Sequence, residues 1–185
     1  MSYRIEPAAD NLADFEDLFG PNGAWSGCWC MWNRQSGAEF QAQNYEPNRQ
    51  AQRSNLTEAR EFGVLAYDGD GVAVGWAALG PRAEYSRLDR SPVTKPIDDA
   101  EVWSVTCFVV RAGHRGQGVA SALLTGAEQR ARELGASILE GYPVAPDGPL
   151  GDTDAWHGLE SMFVNAGFTE VARRKPRRPM YRKQL

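Results

Sequence analysis

Several things are missing from this chain, and each absence narrows what it does. No apolar run approaches the roughly 20 residues that a membrane-spanning helix requires; the longest, from Val102 to Val110, is less than half of that. The N-terminus carries no basic-then-apolar leader pattern, so a cytoplasmic protein without a membrane partner is expected. Positive charge is not in surplus: 20 lysines and arginines face 24 acidic residues, for a net charge of −4 and a pI near 5.3. Such a balance gives no overall attraction to nucleic acid, and no nucleic-acid partner is expected. Cysteine is scarce and odd in number, three in all. Without an export signal that argues for reduced thiols rather than a disulfide framework. Cys28 and Cys30 stand one residue apart, and a metal reading would have to borrow Cys107, His114 or His157. No zinc-like spacing is present, so no metal is expected. Repeats and low-complexity segments are absent as well.

What is present is enough for one full core. At 185 residues, with 42% hydrophobic and 10% aromatic content, the chain reads as a single domain over 1–185. Tyr3 to Glu6 predicts a short strand, and Asn11 to Phe19 sets Leu12, Phe15, Leu18 and Phe19 at helical spacing before a stop at Gly20 and Pro21. Residues 21–37 form a loop rich in aromatics. Two polar helices around 38–45 and 48–61, divided by Pro47, are expected on the surface. Gly63 to Tyr67 and Val72 to Leu79 flank Asp68, Gly69, Asp70 and Gly71, which is hairpin chemistry. Residues 80–99, with three prolines, read as loop with one helical turn.

The signal then sharpens. Val102 to Val110 is a near-continuous β-branched and aromatic run, as in a strand covered on both faces. From Val119 to Leu134, Ala120, Leu123, Leu124, Ala127, Ala131 and Leu134 share one helical face, and Gly135 is placed to end the helix. Ile138 to Tyr142 predicts the next strand, parallel to the first through a right-handed crossover. Pro143, Pro146 and Pro149 mark an insertion. Leu159 to Asn165 reads as a short helix before Gly167, with Thr169 to Arg174 and Met180 to Lys183 as closing strands. The fold class expected is α/β (α+β), with a mixed, mostly antiparallel sheet and one parallel strand-helix-strand unit. Residues 1–62 would supply acceptor-side helices and the aromatic loop, 63–142 the hairpin and binding core, and 143–185 the closing helix and strands.

The chemistry concentrates between Gly113 and Ala120. A helix start presents unpaired N–H groups and partial positive charge, and glycines before it let a phosphate approach the backbone. A P-loop needs lysine and Ser or Thr after its second glycine, and here Gly118 is followed by Val119 and Ala120. A dinucleotide fingerprint comes closer, with G-x-G-x-x-S from Gly116 to Ser121 and Glu140 about 20 residues on. The five residues between Val110 and Gly116, the serine in place of a third glycine and the single parallel unit count against it. A bare turn that merely starts a helix is the bland alternative.

The run Arg115, Gly116, Gln117, Gly118, Val119, Ala120 resembles the Q/R-x-x-G-x-G/A signature of the GCN5-related N-acetyltransferase (GNAT) superfamily, with Cys107, Phe108, Val109, Val110 at the right distance before it. The resemblance is most specific over 104–142, fair from about 62 to the end, and loose over the first 60 residues. It implies helices on both faces of the sheet, and acetyl-CoA as co-substrate with its pyrophosphate on the backbone amides of Arg115, Gly116, Gln117, Gly118, Val119 and Ala120. The pantetheine arm would pair along Phe108, Val109 and Val110, and Ile138 to Tyr142 would splay away to admit the thioester. The terminal Phe163 to Phe168 resembles the closing helix and Gly-Phe pair of the family.

The implied activity is acetyl transfer to a primary amine of a small molecule or protein terminus, the acceptor partner being a small-molecule or peptide amine. A backbone N–H of Phe108 or Val109 would stabilise the oxyanion. The usual glutamate base is replaced by Ser104 and the usual tyrosine acid by Phe163. Tyr142 is the candidate acid from the opposite wall, and Ser104 is the candidate to position a water for Glu101, Glu84 or Glu140. A non-catalytic acyl-CoA-binding or regulatory domain is the alternative, with a dinucleotide oxidoreductase more remote. On the acceptor side, Trp25, Trp29, Met31 and Trp32 crowd one loop, with Trp76 and Tyr85 beside the hairpin. Trp29, Trp32, Trp76 and Tyr85 are the candidate acceptor contacts, unless the loop simply buries its aromatics. The tail from Arg173 to Leu185 has seven basic and no acidic residues, so the net −4 splits into +7 there and −11 elsewhere. Monomer and homodimer both stay open.

Overall fold

A computed structural model describes residues 2–148 and 155–185; Pro149 of the expected insertion lies outside them. In chain order the elements are β1 (Arg4–Pro7), α1 (Leu12–Phe19), α2 (Gly37–Ala42), α3 (Glu46–Thr57), β2 (Val64–Tyr67), β3 (Ala73–Pro81), α4 (Ser86–Arg90), β4 (Trp103–Val110), α5 (Val119–Glu133), β5 (Ile138–Gly141), α6 (Glu160–Asn165), β6 (Thr169–Lys175) and β7 (Arg178–Gln184). The strands form one sheet in the order β1-β2-β3-β4-β5-β7-β6. β4 and β5, joined through α5, run parallel, and the other neighbouring pairs are antiparallel.

Side-chain alternation gives the sheet two buried faces. Val64 and Ala66 of β2 pack with Val74, Leu123, Leu124 and Ala127 under α5. Leu65 and Tyr67 face the other way, onto Phe15, Leu18 and Phe19 of α1 together with Trp76. A Cβ on Gly75 would come within 2.6 Å of Val119 and 2.9 Å of Leu123. The bare backbone at this point of β3 therefore seats the first turn of α5 directly on the sheet.

The parallel ladder between β4 and β5 is short, pairing Trp103 with Leu139, Ser104 with Glu140 and Val105 with Gly141. Beyond it the chain turns away at Tyr142, while β4 runs on to Val110 against β3. Gly141 has no side chain where the ring of Phe163 packs, so α6 closes over the point of divergence.

Both polar helices form, and one of them is not a surface helix. α2 has no buried residue and starts with a reciprocal Ser36–Glu39 capping box. α3 buries Asn48, Gln52, Asn55 and Leu56. Asn48 donates to the Gly27 carbonyl at 3.0 Å and accepts from Gln35 at 2.9 Å. Apolar periodicity does not detect such a face, because it is built of amides that bond one another and, through Asn48, the backbone of the aromatic loop.

Candidate active site

In the loop between β4 and α5, Gly113, Gly116 and Gly118 adopt φ of 86°, 72° and 85°. A Cβ added at any of the three would meet nothing within 4 Å, so the backbone here borders open space. The loop runs into a 15-residue helix whose first N–H groups have no helical acceptors. Such a cradle fits an anion. Gln117 braces it by donating to the Gly113 carbonyl at 2.7 Å, and the Tyr3 hydroxyl donates to the Gln117 carbonyl at 3.2 Å. Arg115 Nε reaches the Val110 carbonyl at 3.4 Å.

A cleft of about 1200 Å³ runs from this loop along Phe108, Val109 and Val110 to a wall of Trp25, Trp32, Phe40 and Trp156. Of the nine residues expected along the carrier, all but Gln117 line it. The edge of β4 corrects one sequence expectation. Arg111 N–H donates to Val74 at 2.9 Å, so by alternation the N–H of Val109 also faces β3, while those of Phe108 and Val110 face the open edge. Val109 is therefore turned away from the cleft edge as a donor. Phe108 faces that edge and donates to the Trp156 carbonyl at 2.7 Å. Val110, expected along the pantetheine arm, shares the open side.

Ser104 and Tyr142 come together, but not at the cleft. Both are buried, their hydroxyl oxygens are 2.7 Å apart, and neither lines the cleft. Tyr142 donates to Glu140 at 2.6 Å, and Arg82 Nη1 donates to the Tyr142 hydroxyl at 2.8 Å. Glu140, completely buried, also accepts from Arg82 and Arg182 at 2.6 Å each. Burial first, then the Glu140 charge, push the Tyr142 phenol well above its usual range, which keeps it protonated. The other nominated carboxylates are no closer to the chemistry. Glu84 pairs with Arg34 at 3.1 Å, and Glu101 is exposed ahead of β4.

A second buried charge hub went unseen in the sequence. Glu61 accepts from Arg34, the Tyr85 hydroxyl and the backbone of Gly63 and Leu79. Burial disfavours the Arg34 charge, but Glu61, Tyr85 and Glu84 together outweigh it and raise the guanidinium pKa. No local pattern marks this cluster, since its members come from three separate segments.

The aromatic candidates divide. Trp29 and Trp76 are buried, Trp29 stacked on Phe19 at 5.4 Å and Trp76 edge-on to Phe15 at 4.9 Å. Tyr85 is buried on Glu61. Trp32 does line the cleft, edge-on to Phe40 at 5.0 Å and to Trp156 at 6.4 Å, with the Arg87 guanidinium 3.9 Å over its ring. Trp25, 68% exposed, joins it. The basic tail is partly paired with the body: Arg173 pairs with Glu160 and Glu170, Arg182 with Asp98 and Glu140, and Lys183 with Glu128.

Among the described residues no cluster of His, Cys, Asp or Glu is arranged to hold a metal, and no helix is long and apolar enough to cross a membrane. The family model described as Acetyltransferase (GNAT) family matches residues 25–146, two thirds of the chain. The chain belongs to the GNAT family. Its fold agrees. A structure described as histone acetyltransferase HPA2 and related acetyltransferase from Corynebacterium glutamicum is 19% identical, with a TM-score of 0.57 over 100% of this chain and 97% of that one. The PaiA N-acetyltransferase of Thermoplasma acidophilum, solved in complex with coenzyme A, is 12% identical with a TM-score of 0.57 over 100% of both chains. An N-acetyltransferase from Staphylococcus aureus is 15% identical with a TM-score of 0.55, covering 100% and 99%. No curated protein matches. GNAT proteins use acetyl-CoA as co-substrate, and the α/β (α+β) architecture with one parallel pair and helices on both faces is that of the family.

Proposed function

We propose that this GNAT protein transfers the acetyl group of acetyl-CoA to the primary amine of a small molecule or peptide terminus bound against Trp25, Trp32, Phe40 and Trp156. One observation carries the reading: the glycine loop, the start of α5 and the open edge of β4 all border a single cleft. Acetyl-CoA supplies an acyl group activated as a thioester. The amides from Gly116 to Ala120 hold its pyrophosphate, with Arg115 adding charge nearby. Val110 N–H pairs with the pantetheine arm, and Phe108 N–H polarises the acyl carbonyl by exchanging its bond to Trp156.

The proton balance follows from the lining. Among the described residues of the cleft there is no aspartate or glutamate, so an ammonium group meets no carboxylate base. The described lining does hold one imidazole, His114 in the loop before α5, but no acid–base pair, so the acceptor reacts as the neutral amine and catalysis rests chiefly on positioning and backbone dipoles. A thiol with a pKa of about 8.5 leaves tolerably as thiolate without a dedicated acid.

The test is CoA release from acetyl-CoA across a broad amine panel between about pH 6 and about pH 9, where kcat/KM should climb with pH up to the ammonium pKa of each acceptor. A rate independent of pH below that value would mean that a side chain takes the proton. Thermal stabilisation by CoA without turnover of any amine would replace the enzyme reading with an acyl-CoA-binding domain.

A further inference from the structure

All three cysteines of the chain meet on the cleft wall. Cys30 Sγ lies 3.1 Å from Cys107 Sγ although the residues are 77 apart in sequence, one in the aromatic loop and one on β4. A disulfide bond is about 2.05 Å long, so closing the pair needs an approach of only about 1 Å from the observed separation. The Trp76 indole N–H donates to Cys30 Sγ at 3.0 Å and holds that sulfur in place. Cys28, the least buried of the three, borders the same cleft within electrostatic reach of Cys107.

The loop is strained where it presents the thiol. Ala24, Ser26, Trp29 and Cys30 all have φ between 46° and 65°, which L side chains resist. Such conformations persist where the surroundings over-determine them, and they cluster at functional and switching segments. Here the stacked Trp29 and the buried amides of α3 do the determining.

We propose that Cys30 and Cys107 form a reversible disulfide when the protein meets hydrogen peroxide, tying the aromatic loop to β4 at the cleft wall. One thiolate of the pair attacks a peroxide oxygen, the O–O bond breaks, and with one proton the departing oxygen leaves as water, giving a sulfenic acid. The second sulfur attacks that sulfur, the S–O bond breaks, and the hydroxyl departs as water with the proton of the second thiol. Two thiols thus supply the two electrons that convert the peroxide to two waters.

The surroundings set the pace. Burial, the hydrogen bond with Cys107, and the charges of Cys107, Cys28 and Glu61 all hold the Cys30 thiol well above its usual range. Burial and Cys107 push Cys28 up to about 12, and Arg87 of α4 is the cation near it. The Cys30 thiolate is therefore rare near neutrality, and closure that starts there should quicken as pH rises. Cys30 and Cys107 reach solvent through the cleft, so coenzyme A in that cleft should shield them. This shielding rests on the function proposed above, whereas the disulfide does not.

The experiment treats the reduced, full-length protein with hydrogen peroxide, with and without a saturating coenzyme A analogue that lacks the thiol, then blocks remaining thiols and maps peptides by mass spectrometry. Expected are loss of two hydrogens, one cross-linked peptide pair containing Cys30 and Cys107, and reversal by dithiothreitol. Cys28→Ser should still close, Cys30→Ser and Cys107→Ser should not, and the analogue should slow closure several-fold. No cross-link, or one made through Cys28, overturns the proposal. Because the mapping is done on the unaltered protein, a misfolded variant does not decide it. Closure that the analogue fails to slow upholds the disulfide and counts against a carrier site in this cleft.

Discussion

The two halves of β4 have opposite surroundings. Over Trp103–Val105 the strand is paired on both sides, and its Ser104 is locked into a buried polar cluster with Tyr142, Glu140, Arg82 and Arg182. Over Phe108–Val110 it is paired with β3 alone, and its other edge opens to the cleft. The difference begins where the chain leaves β5 at Tyr142. It teaches that the residues with the richest acid-base chemistry are the clamp, while the chemically plain residues border the site. Charge density in this molecule marks where the sheet is held closed, so that the adjoining edge can stay apart.

The sharpest way to break this comparison is Glu140→Ala. It leaves Arg82 and Arg182 without their shared buried carboxylate and should cost about 3–5 kcal/mol in urea unfolding, with the CoA affinity of the folded protein nearly unchanged. A large loss of affinity with little loss of stability would move Glu140 to the site. Next is Gly118→Trp, which fills the open space beside a φ of 85°. CoA affinity by calorimetry should fall at least about 100-fold, equivalent to about 2.8 kcal/mol, while circular dichroism stays native. Retained affinity would remove the loop from the account.

Tyr142→Phe is a smaller and more discriminating change. Losing a hydrogen bond to a buried carboxylate should cost about 1–3 kcal/mol of stability, and the pH profile of turnover should keep its shape. Loss of its alkaline limb would restore Tyr142 as the acid. The smallest expected effect is one of pH. Burial, then repulsion from Arg178, hold the His157 imidazole well below its usual pKa. The folded state thus refuses a proton that the unfolded state takes up, so its contribution is complete above about pH 6.5 and declines as pH falls, by at most about 1.4 kcal/mol per unit. His157→Gln should flatten that slope in urea titrations at about pH 7.5 and about pH 5.5; an unchanged slope would assign it to other groups.

The element order, the parallel unit and the open glycine loop were legible because each rests on local signals: apolar period, hairpin and cap glycines, and the glycine spacing ahead of α5. What failed to show was anything set by distant partners. Trp25, Trp29 and Trp32 are equivalent in composition, yet Trp29 stacks on Phe19 in the core while the other two face the cleft. Tyr142 and Ser104 were nominated for catalysis by their position along the strands, and the charged partners that bury them come from the turn after β3, from β5 and from β7. The amide face of α3 read as solvent-facing because polar residues carry no sign of burial when their partners lie in a distant loop or on the same helix.

The central claim is that acyl-CoA lies along the open half of β4 and on the loop before α5. A crystal structure with coenzyme A tests it directly. The account predicts pyrophosphate oxygens at about 2.7–3.2 Å from amides between Gly116 and Ala120, and the pantetheine arm along Phe108 to Val110. Pyrophosphate bound away from that loop, or a pantetheine arm crossing at Trp103–Val105, would contradict it.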